Sequence, residues 1–322
     1  MVSRTRILTA SVLSILLACP ARADVSRFLA KLKAEAHAAG VSTRTFDEAL
    51  AGFAPIARVI ELDRAQPENR KSFAAYRETL LGASRISEGR TLFAEESHLL
   101  AQVSKAYGVP PQVIVALWGV ETSYGALTGG FKVPQALATL AMDGRRPEFF
   151  RGELIKALRI IEDRHITASA MKGSWAGAMG QPQFMPSSFL TYAVDWNGDG
   201  RRDIWGTRAD VFASAANYLA KSGWKAGEPW GIPVRLPQGM DASALCGLEK
   251  KLDMRYWKHL GLVPAGGGGF AGLPGEASLV MPDGADGDAF LVFNNYRVLM
   301  KWNRSTYFAS AVGLLADSIA AR

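Results

Sequence analysis

The amino-acid sequence predicts a mainly α-helical protein with a small β element. Apolar residues recur at helical spacing over most of residues 25–222, and proline and glycine stand where these segments should begin or end. Beyond Pro229, glycine, proline and short apolar runs dominate instead. At 322 residues and 48% hydrophobic content, the chain can bury a substantial core in one large domain or two smaller ones.

The first 23 residues have the features of an export signal. Two arginines precede an apolar stretch, and Ala21-Arg22-Ala23 fits the small-residue rule for cleavage before Asp24. We therefore expect residues 1–23 to be a signal peptide and the mature protein to lie in the periplasm. A form anchored by a lipid on Cys19 is the alternative, because the preceding Leu-Leu-Ala loosely resembles a lipoprotein cleavage site.

Charge and cysteine content exclude several classes of protein. Loss of three leader arginines would reduce the net charge of +7 by three, and no basic run with interleaved aromatics suggests nucleic acid. An anionic envelope polymer, or no charged partner, is expected instead. No later apolar run reaches the ~18 residues that a transmembrane helix needs. Cys246 would have no partner, so we expect no intrachain disulfide.

Helices are expected in the following order. Residues Val25 to about Lys105 are mostly helical by the spacing of their apolar side chains. Pro110-Pro111 can begin the next helix, Gln112 to about Thr122, because the first turn needs no amide donor. That helix is apolar nearly all round and is predicted to be buried. Further helices are predicted over Pro134 to Ala141, Arg151 to Ala168, Ser187 to Val194 and Ala209 to Ser222.

The C-terminal third is predicted to hold the β element. Gly266 to Gly269 indicates a flexible loop. Phe290 to Phe293 and Tyr296 to Met300, on either side of Asn294-Asn295, are typical of the two strands of a small hairpin. A final helix is expected from about Thr306 to Ala320.

Glu121 is the leading candidate for a catalytic group. It ends the apolar run Val113 to Val120, so it should lie in the last turn of the buried helix. Burial disfavours its charged form, and the negative end of the helix dipole opposes another negative charge, so both raise its pKa. A carboxylic acid that stays protonated near neutral pH is suited to protonate a leaving oxygen, as in glycoside cleavage.

A second candidate region is Lys172 to Ser188, with the sequence KGSWAGAMGQPQFMPSS. Its small residues would let the backbone approach a ligand closely, while Ser174 and Gln183 offer hydrogen bonds. Small residues also permit tight helix crossings, so this segment alone is ambiguous. Together with Glu121 it is much more specific.

The chain resembles the lytic murein transglycosylases of the membrane-bound B type. The resemblance spans about residues 24–322, with a lysozyme-like helical core at about residues 106–225. It depends on these segments: Leu62 to Glu68, Tyr107 to Pro110, Gly119 to Thr122, Tyr124-Gly125, Arg145-Arg146, Phe149-Phe150, Lys172 to Ser188, Asp195 to Trp205 and Asn303 to Ser305. The resemblance implies a lysozyme-like fold and activity on the glycan strands of peptidoglycan.

By this resemblance Glu121 is the only catalytic acid and base, and catalysis needs no cofactor. The acid protonates the oxygen between N-acetylmuramic acid and N-acetylglucosamine. As a carboxylate it then takes the proton of the sugar's own hydroxymethyl group, whose oxygen attacks the anomeric carbon and forms an anhydro-muramyl end. Asp143, Glu148 and Glu153 fall in no motif that would make one of them a second catalytic carboxylate, and we expect them to be solvated or salt-bridged.

Two alternatives remain open at this stage. The protein could hydrolyse the same bond with water, as a muramidase does, or it could bind glycan without cleaving it. We expect a monomer; complexes with cell-wall synthases or regulators are a further possibility. The four histidines form no paired metal spacing, so zinc chemistry is not expected.

The resemblance also implies substrate contacts. The residues concerned are Ser174, Gln183, Arg145, Arg146, Phe149, Tyr124, Asn303 and Phe308. Trp302 and Phe308 stand where the family usually has tyrosines, so both positions keep an aromatic face and lose a hydroxyl. The sequence therefore does not establish whether these two positions form hydrogen bonds with Glu121 or the substrate.

Asp195 to Asp203 matches the first part of an EF-hand calcium loop. Oxygen-bearing side chains occupy its positions 1, 3, 5 and 9, glycine occupies position 6, and position 7 would contribute a backbone carbonyl. Position 12, normally Glu, is Gly206. By the resemblance, Asp210 would supply the missing carboxylate. The expected ligands of a structural Ca²⁺ are Asp195, Asn197, Asp199, Arg201, Asp203 and Asp210, and a turn without metal is the alternative.

Overall fold

The structure is a computed structural model that describes residues 20–65 and 72–321. Most of the predicted signal peptide, including Cys19, lies outside the described residues. So does the end of the Leu62 to Glu68 motif. No helix in the described ranges is long and apolar enough to span a membrane.

The described residues before 108 contain six helices. They are α1 (Pro20–Ala38), α2 (Thr43–Ala49), α3 (Ala57–Arg64), α4 (Phe73–Leu80), α5 (Ala83–Glu95) and α6 (Ser97–Tyr107). Ser42 and Ser72 begin α2 and α4, because their hydroxyls accept backbone N–H groups of the first turn. Gly108 ends α6 with a φ of 68°, which glycine adopts without strain.

The next segment contains five helices and a two-stranded sheet. The helices are α7 (Pro111–Thr122), α8 (Val133–Asp143), α9 (Pro147–Glu162), α10 (Pro186–Tyr192) and α11 (Arg208–Lys221). Strands β1 (Phe131–Lys132) and β2 (Lys172–Gly173) pair antiparallel. Proline is the first residue of α7, α9 and α10, where its missing amide is harmless. The predicted helix Arg151 to Ala168 is displaced towards the N-terminus, because Arg164 has a φ of +62°, which ends a right-handed helix.

A five-stranded antiparallel sheet dominates the C-terminal part. Its strands are β3 (Gly231–Arg235), β4 (Leu252–Asp253), β5 (Val263–Pro264), β6 (Glu276–Val280) and β7 (Ala289–Val292), in the order β4-β6-β7-β3-β5. A 3₁₀ turn and three helices accompany it: Ser243–Leu245, α12 (Met254–His259), α13 (Asn294–Trp302) and α14 (Thr306–Ala320). The mainly α prediction with a small β element is confirmed.

The predicted hairpin after residue 290 is wrong. Its first half is strand β7, but Tyr296 to Met300 belongs to helix α13. Asn294 and Asn295 begin this helix instead of forming a turn. The Asn295 side chain accepts from Lys225 N at 2.8 Å and donates to Glu228 O at 2.6 Å, which ties the start of α13 to the residue 225–228 turn. A short apolar run does not distinguish strand from helix by periodicity alone.

Helix α7 lies in the centre of the largest hydrophobic core. It packs against α5, α6, α11 and α14. Side chains from before residue 106 and after residue 225 share this core, including those of Phe73, Leu100, Val292 and Leu315. A second core surrounds α8 and α9, and a third lies under the five-stranded sheet. Residues distant in sequence therefore surround α7.

Gly313 on α14 and Gly152 on α9 form a matched pair for testing this packing. A Cβ on Gly313 would lie 2.3 Å from the Trp230 ring, whereas one on Gly152 would meet nothing closer than Lys156 Nζ at 3.6 Å. We predict that Gly313→Ala lowers the free energy of unfolding by about 1–3 kcal/mol through overpacking. Gly152→Ala should raise it by about 0.5–1 kcal/mol, because alanine is the better helix former. Urea denaturation measures both, and equal effects would contradict the packing described for α14.

Candidate active site

Glu121 lies in the last turn of α7, as the sequence predicts. Every residue from Val113 to Gly119 is buried, and the helix ends because Ser123 and Tyr124 have φ values of 49° and 58°. Glu121 itself is partly buried, with some of its surface open to solvent. The end of the apolar helix therefore places a carboxyl group between the core and the exterior.

One side chain donates a hydrogen bond to this carboxyl group. Trp302, the last residue of α13, donates from Nε1 to Glu121 Oε1 at 2.6 Å. The Trp302 ring packs against Phe184 and Tyr218, with ring centroids 5.3 and 4.6 Å apart. The resemblance had left open whether the residue at position 302 forms a hydrogen bond with Glu121. The indole N–H of Trp302 forms that bond.

Burial raises the pKa of Glu121 to about 7, although the hydrogen bond from Trp302 acts in the opposite direction. Removing a carboxylate from water disfavours its charge, whereas a donor aimed at it favours the charge. Near neutral pH the group can therefore either donate or accept a proton. Tyr76 of α4 lies close enough that the Glu121 charge adds to the effect of burial in raising the tyrosine pKa.

Gln181 joins α7 to the Lys172 to Ser188 segment. Its Oε1 accepts from Trp118 Nε1 at 2.7 Å, and its backbone carbonyl accepts from Thr122 Oγ1 at 2.9 Å. Its Nε2 donates to Trp205 O at 2.8 Å. The sequence pattern indicated Gln183 but not Gln181, although Gln181 is a second amide in the same small-residue segment.

Ser174 and Gln183 shape the loop beside α7. The Ser174 hydroxyl accepts from Ala178 N at 3.0 Å. Gln183 has a φ of 51°, and its Nε2 donates to Gly180 O at 2.8 Å and to Thr128 O at 3.1 Å. Both side chains are only partly buried, so each keeps some surface for a ligand.

Two of the predicted substrate contacts are not supported by the structure. The Tyr124 ring is only 7% exposed, and its hydroxyl donates to Arg85 O at 2.8 Å. Phe308 is 4% exposed and belongs to the largest core. Their aromatic rings stabilise the core around α7 and present no open face to a sugar, because tertiary packing covers both.

The remaining predicted contacts are exposed. Arg145 pairs with the buried Asp63 at 3.5 Å, and Arg146 lies over the Phe149 ring at 4.8 Å. Phe149 is 43% exposed, and Asn303 is exposed directly after Trp302. Arg145, Arg146 and Phe149 form a polar and aromatic surface at the start of α9 without a hydrogen bond or ion pair to Glu121.

The neighbouring acids are engaged elsewhere or solvated. Asp143 pairs with Arg64 at 3.2 Å. Glu153 is buried, pairs with Lys156 at 3.3 Å and accepts from Ser187 N at 2.8 Å. Glu148 is exposed in the first turn of α9. These surroundings agree with the expectation that the three acids are solvated or salt-bridged.

Hydrogen bonds from backbone amides to side chains of the same segment hold the predicted calcium loop in its conformation. Asp195 accepts from the backbone of residues 198, 199 and 200, and Asp199 Oδ1 accepts from Arg201 N at 2.9 Å. Asp203 Oδ1 accepts from Trp205 N at 2.9 Å. Asn197 Oδ1 accepts from Asp199 N at 3.2 Å. The side chains at positions 1, 3, 5 and 9 therefore line one compact turn.

Asp210 does not lie among these oxygens as a free ligand, contrary to the prediction. It is fully buried, and its two carboxylate oxygens accept from Trp196 N at 2.8 Å and Asp203 N at 2.7 Å. It thereby joins the two ends of the loop. Within residues 20–65 and 72–321, no group of three or more His, Cys, Asp or Glu is arranged to hold a metal ion. The donor types fit calcium, but the arrangement fits it only in part.

Comparisons with known proteins agree with this geometry. The family model for the transglycosylase SLT domain matches residues 24–317. Membrane-bound lytic murein transglycosylase B of Escherichia coli (strain K12) is 33% identical over 247 residues, which are 76% of this chain and 66% of that protein. The chain thus spans slightly under two thirds of the length of this relative.

Solved structures show the same fold. SltB3 from Pseudomonas aeruginosa, in complex with NAG-anhNAM-pentapeptide, has a TM-score of 0.88 and 45% identity, and the match covers 92% of this chain and 79% of that chain. The E. coli lytic transglycosylase Slt35, in complex with calcium, has a TM-score of 0.77 and 30% identity, with 92% of each chain covered. These matches confirm the predicted lysozyme-like helical fold. The chain belongs to the transglycosylase SLT domain family, among the lytic transglycosylases of the membrane-bound B type.

Proposed function

We propose that this protein is an exported peptidoglycan lytic transglycosylase in which Glu121 is the only acid and base. It cleaves the bond between N-acetylmuramic acid and N-acetylglucosamine without water and leaves anhydro-muramic ends. The observation that carries the proposal is the Glu121 carboxyl group, which lies at the end of a buried helix with a pKa of about 7. The membership of the lytic transglycosylases and the NAG-anhNAM-pentapeptide bound by SltB3 support this choice of substrate and product.

The reaction needs two proton transfers, and Glu121 takes part in both. Neutral Glu121 donates its proton to the bridging oxygen as the bond to the anomeric carbon breaks. The resulting carboxylate accepts the proton of the C6 hydroxyl group, whose oxygen forms the new bond to the same carbon. Glu121 is then neutral again, so the atoms and charges balance. A pKa of about 7 populates both forms near neutral pH, which suits a group with both roles.

A second catalytic carboxylate would favour hydrolysis instead. Two-carboxylate glycosidases hold their acids about 5 to 9.5 Å apart. In the described part of the chain, no other carboxylate contributes to the pKa shift of Glu121, and Asp143 and Glu153 pair with the basic residues Arg64 and Lys156. This isolation supports the intramolecular route, in which the substrate supplies the nucleophile.

We further propose that the exposed predicted contacts bind the substrate. Arg145 and Arg146 present planar donors suited to carboxylates of the stem peptide, and Phe149 presents a face on which a sugar can stack. Ser174, Gln183 and Asn303 offer hydrogen bonds to acetamido and hydroxyl groups. Residues 1–23 would direct export to the periplasm, where a monomer acts on glycan strands, either alone or with cell-wall synthases or regulators.

Glu121→Gln tests the catalytic proposal. Glutamine keeps the shape of the side chain but has no proton to give, so turnover of purified sacculi should fall by about 100-fold or more. The wild-type digest should contain anhydro-muramic ends in liquid chromatography–mass spectrometry. Glu153→Gln, which alters a buried glutamate that pairs with Lys156, should retain activity. Reducing muramic ends would identify a muramidase, and unchanged turnover in Glu121→Gln would reject Glu121 as the acid.

We also propose that the Asp195 to Asp203 loop binds a weak structural Ca²⁺. Asp195, Asn197, Asp199 and Asp203 would hold it together with the Arg201 carbonyl, and the calcium complex of Slt35 supports the choice of ion. The lack of a carboxylate at Gly206 predicts weak binding. The ion would rigidify the loop and take no part in catalysis.

A thermal melt tests this calcium site. With a Kd of ~1 mM, ~10 mM calcium would stabilise the folded state by about 1.4 kcal/mol and raise Tm by roughly 2–4 °C. Asp199→Asn should remove this response, while Asp241→Asn, outside the loop, should keep it. Identical wild-type melts in calcium and in EDTA would show that the segment is only a turn.

A further inference from the structure

The indole of Trp302 can donate a hydrogen bond but cannot accept one. Its Nε1 lies 2.6 Å from Glu121 Oε1, so this oxygen must act as an acceptor in both protonation states. In a neutral carboxylic acid, the carbonyl oxygen is a better acceptor than the hydroxyl oxygen. The proton of neutral Glu121 is therefore expected on Oε2.

We propose that Trp302 is a positioning residue that keeps the proton of Glu121 on Oε2 and so fixes which oxygen protonates the glycosidic bond. This inference rests on the proposed role of Glu121 as the acid, but its physical test needs no substrate. A tyrosine at this position could either donate or accept, and would leave both placements of the proton open. The indole, which can only donate, disfavours the placement of the proton on Oε1.

The structure holds the indole in place on both sides. Phe184 and Tyr218 pack against its ring, and the Tyr218 hydroxyl donates to Lys301 O at 2.8 Å. Lys301 Nζ donates to Ser222 O at 2.7 Å. Helix α13 is therefore tied to α11 one residue before Trp302. Because the indole is held in this way, its N–H bond keeps its direction while Glu121 donates one proton and accepts another.

The other titratable or charged groups around α7 and α13 are engaged or neutral. They include Tyr76, Arg85, Arg208, Tyr218, Arg297, Lys301 and Tyr307. Arg85 donates to Gly119 O, and Arg208 pairs with Glu96. The pKa values of the three tyrosines are raised, so they remain neutral in the working range. Of the described residues, Trp302 is the one that stabilises the Glu121 charge.

Infrared spectroscopy can locate the proton directly. The protein is prepared with ¹³C-labelled glutamate at about pH 5.5, below the pKa of Glu121 and above ordinary carboxyl pKa values of ~4. Subtracting the spectrum of Glu121→Gln isolates the carbonyl band of neutral Glu121. In Trp302→Phe this band should move to higher wavenumber, because the carbonyl oxygen loses its hydrogen bond.

The same variant should raise the pKa of Glu121 in an NMR titration by about one unit, because a hydrogen bond to the charged form is lost. On sacculi, kcat should fall about 10-fold with little change in KM. The matched control is Trp230→Phe, which removes another indole donor that serves a carboxylate, at 3.1 Å from Asp317 Oδ2. This control should leave the Glu121 band and its pKa unmoved.

A folded Trp302→Phe protein whose Glu121 carbonyl band does not move would overturn the proposal, because the proton would then not depend on the indole. If this variant does not fold, an NMR titration of the wild-type protein still tests the proposal. The ¹⁵N–¹H indole signal of Trp302 should titrate near pH 7 in the wild type and not in Glu121→Gln; no titration would reject the inference. Loss of activity in Glu121→Gln tests the proposed function separately.

Discussion

The enclosure of one carboxyl group is the constraint on which the rest of this structure depends. Glu121 is attached to a helix that is buried almost from end to end, so the core must form before the acid has its environment. Four helices from three parts of the chain pack around α7. Packing of the whole helical part therefore offsets the free-energy cost of enclosing a carboxyl group.

Hydrogen bonds then give this acid its orientation. Trp302 reaches it from α13, and Gln181 ties Trp118 and Thr122 of the same helix to the loop that carries Ser174. Asp210 closes the neighbouring Asp195 to Asp203 turn through two backbone amides. In each case a hydrogen bond satisfies a polar group that would otherwise be unpaired, so the same contacts position the site residues and stabilise the fold.

The sequence predicted the parts of the fold that depend on local periodicity and on turn residues. The limits of α7 and α14 agree closely with the expected helices, and Glu121 lies where the end of the apolar run placed it. The hairpin at Asn294-Asn295 was wrong, because the asparagines bind a turn 70 residues away that no local pattern contains.

The predicted substrate contacts also divide into those that agree with the structure and those that tertiary packing excludes. Exposed Arg146 and Phe149 remain candidates for substrate binding, whereas Tyr124 and Phe308 are covered by packing that spacing cannot indicate. The Gln181 contacts form only when α7 meets the loop that carries this residue, and the Trp302 hydrogen bond forms only when α7 meets α13. A resemblance can assign residue types to a site, but the direction of an N–H bond requires three-dimensional structure.

The fold keeps Glu121 uncharged more readily than water does, and pH-dependent stability measures this directly. A carboxyl group with a raised pKa in the folded state stabilises the protein less as pH rises from about 4.5 towards 7, because the unfolded chain ionises first. The account predicts that Glu121→Gln gains stability relative to the wild type across this range, and that the difference levels off above it. A difference in unfolding free energy that stays constant from pH 4 to 8 would contradict the account.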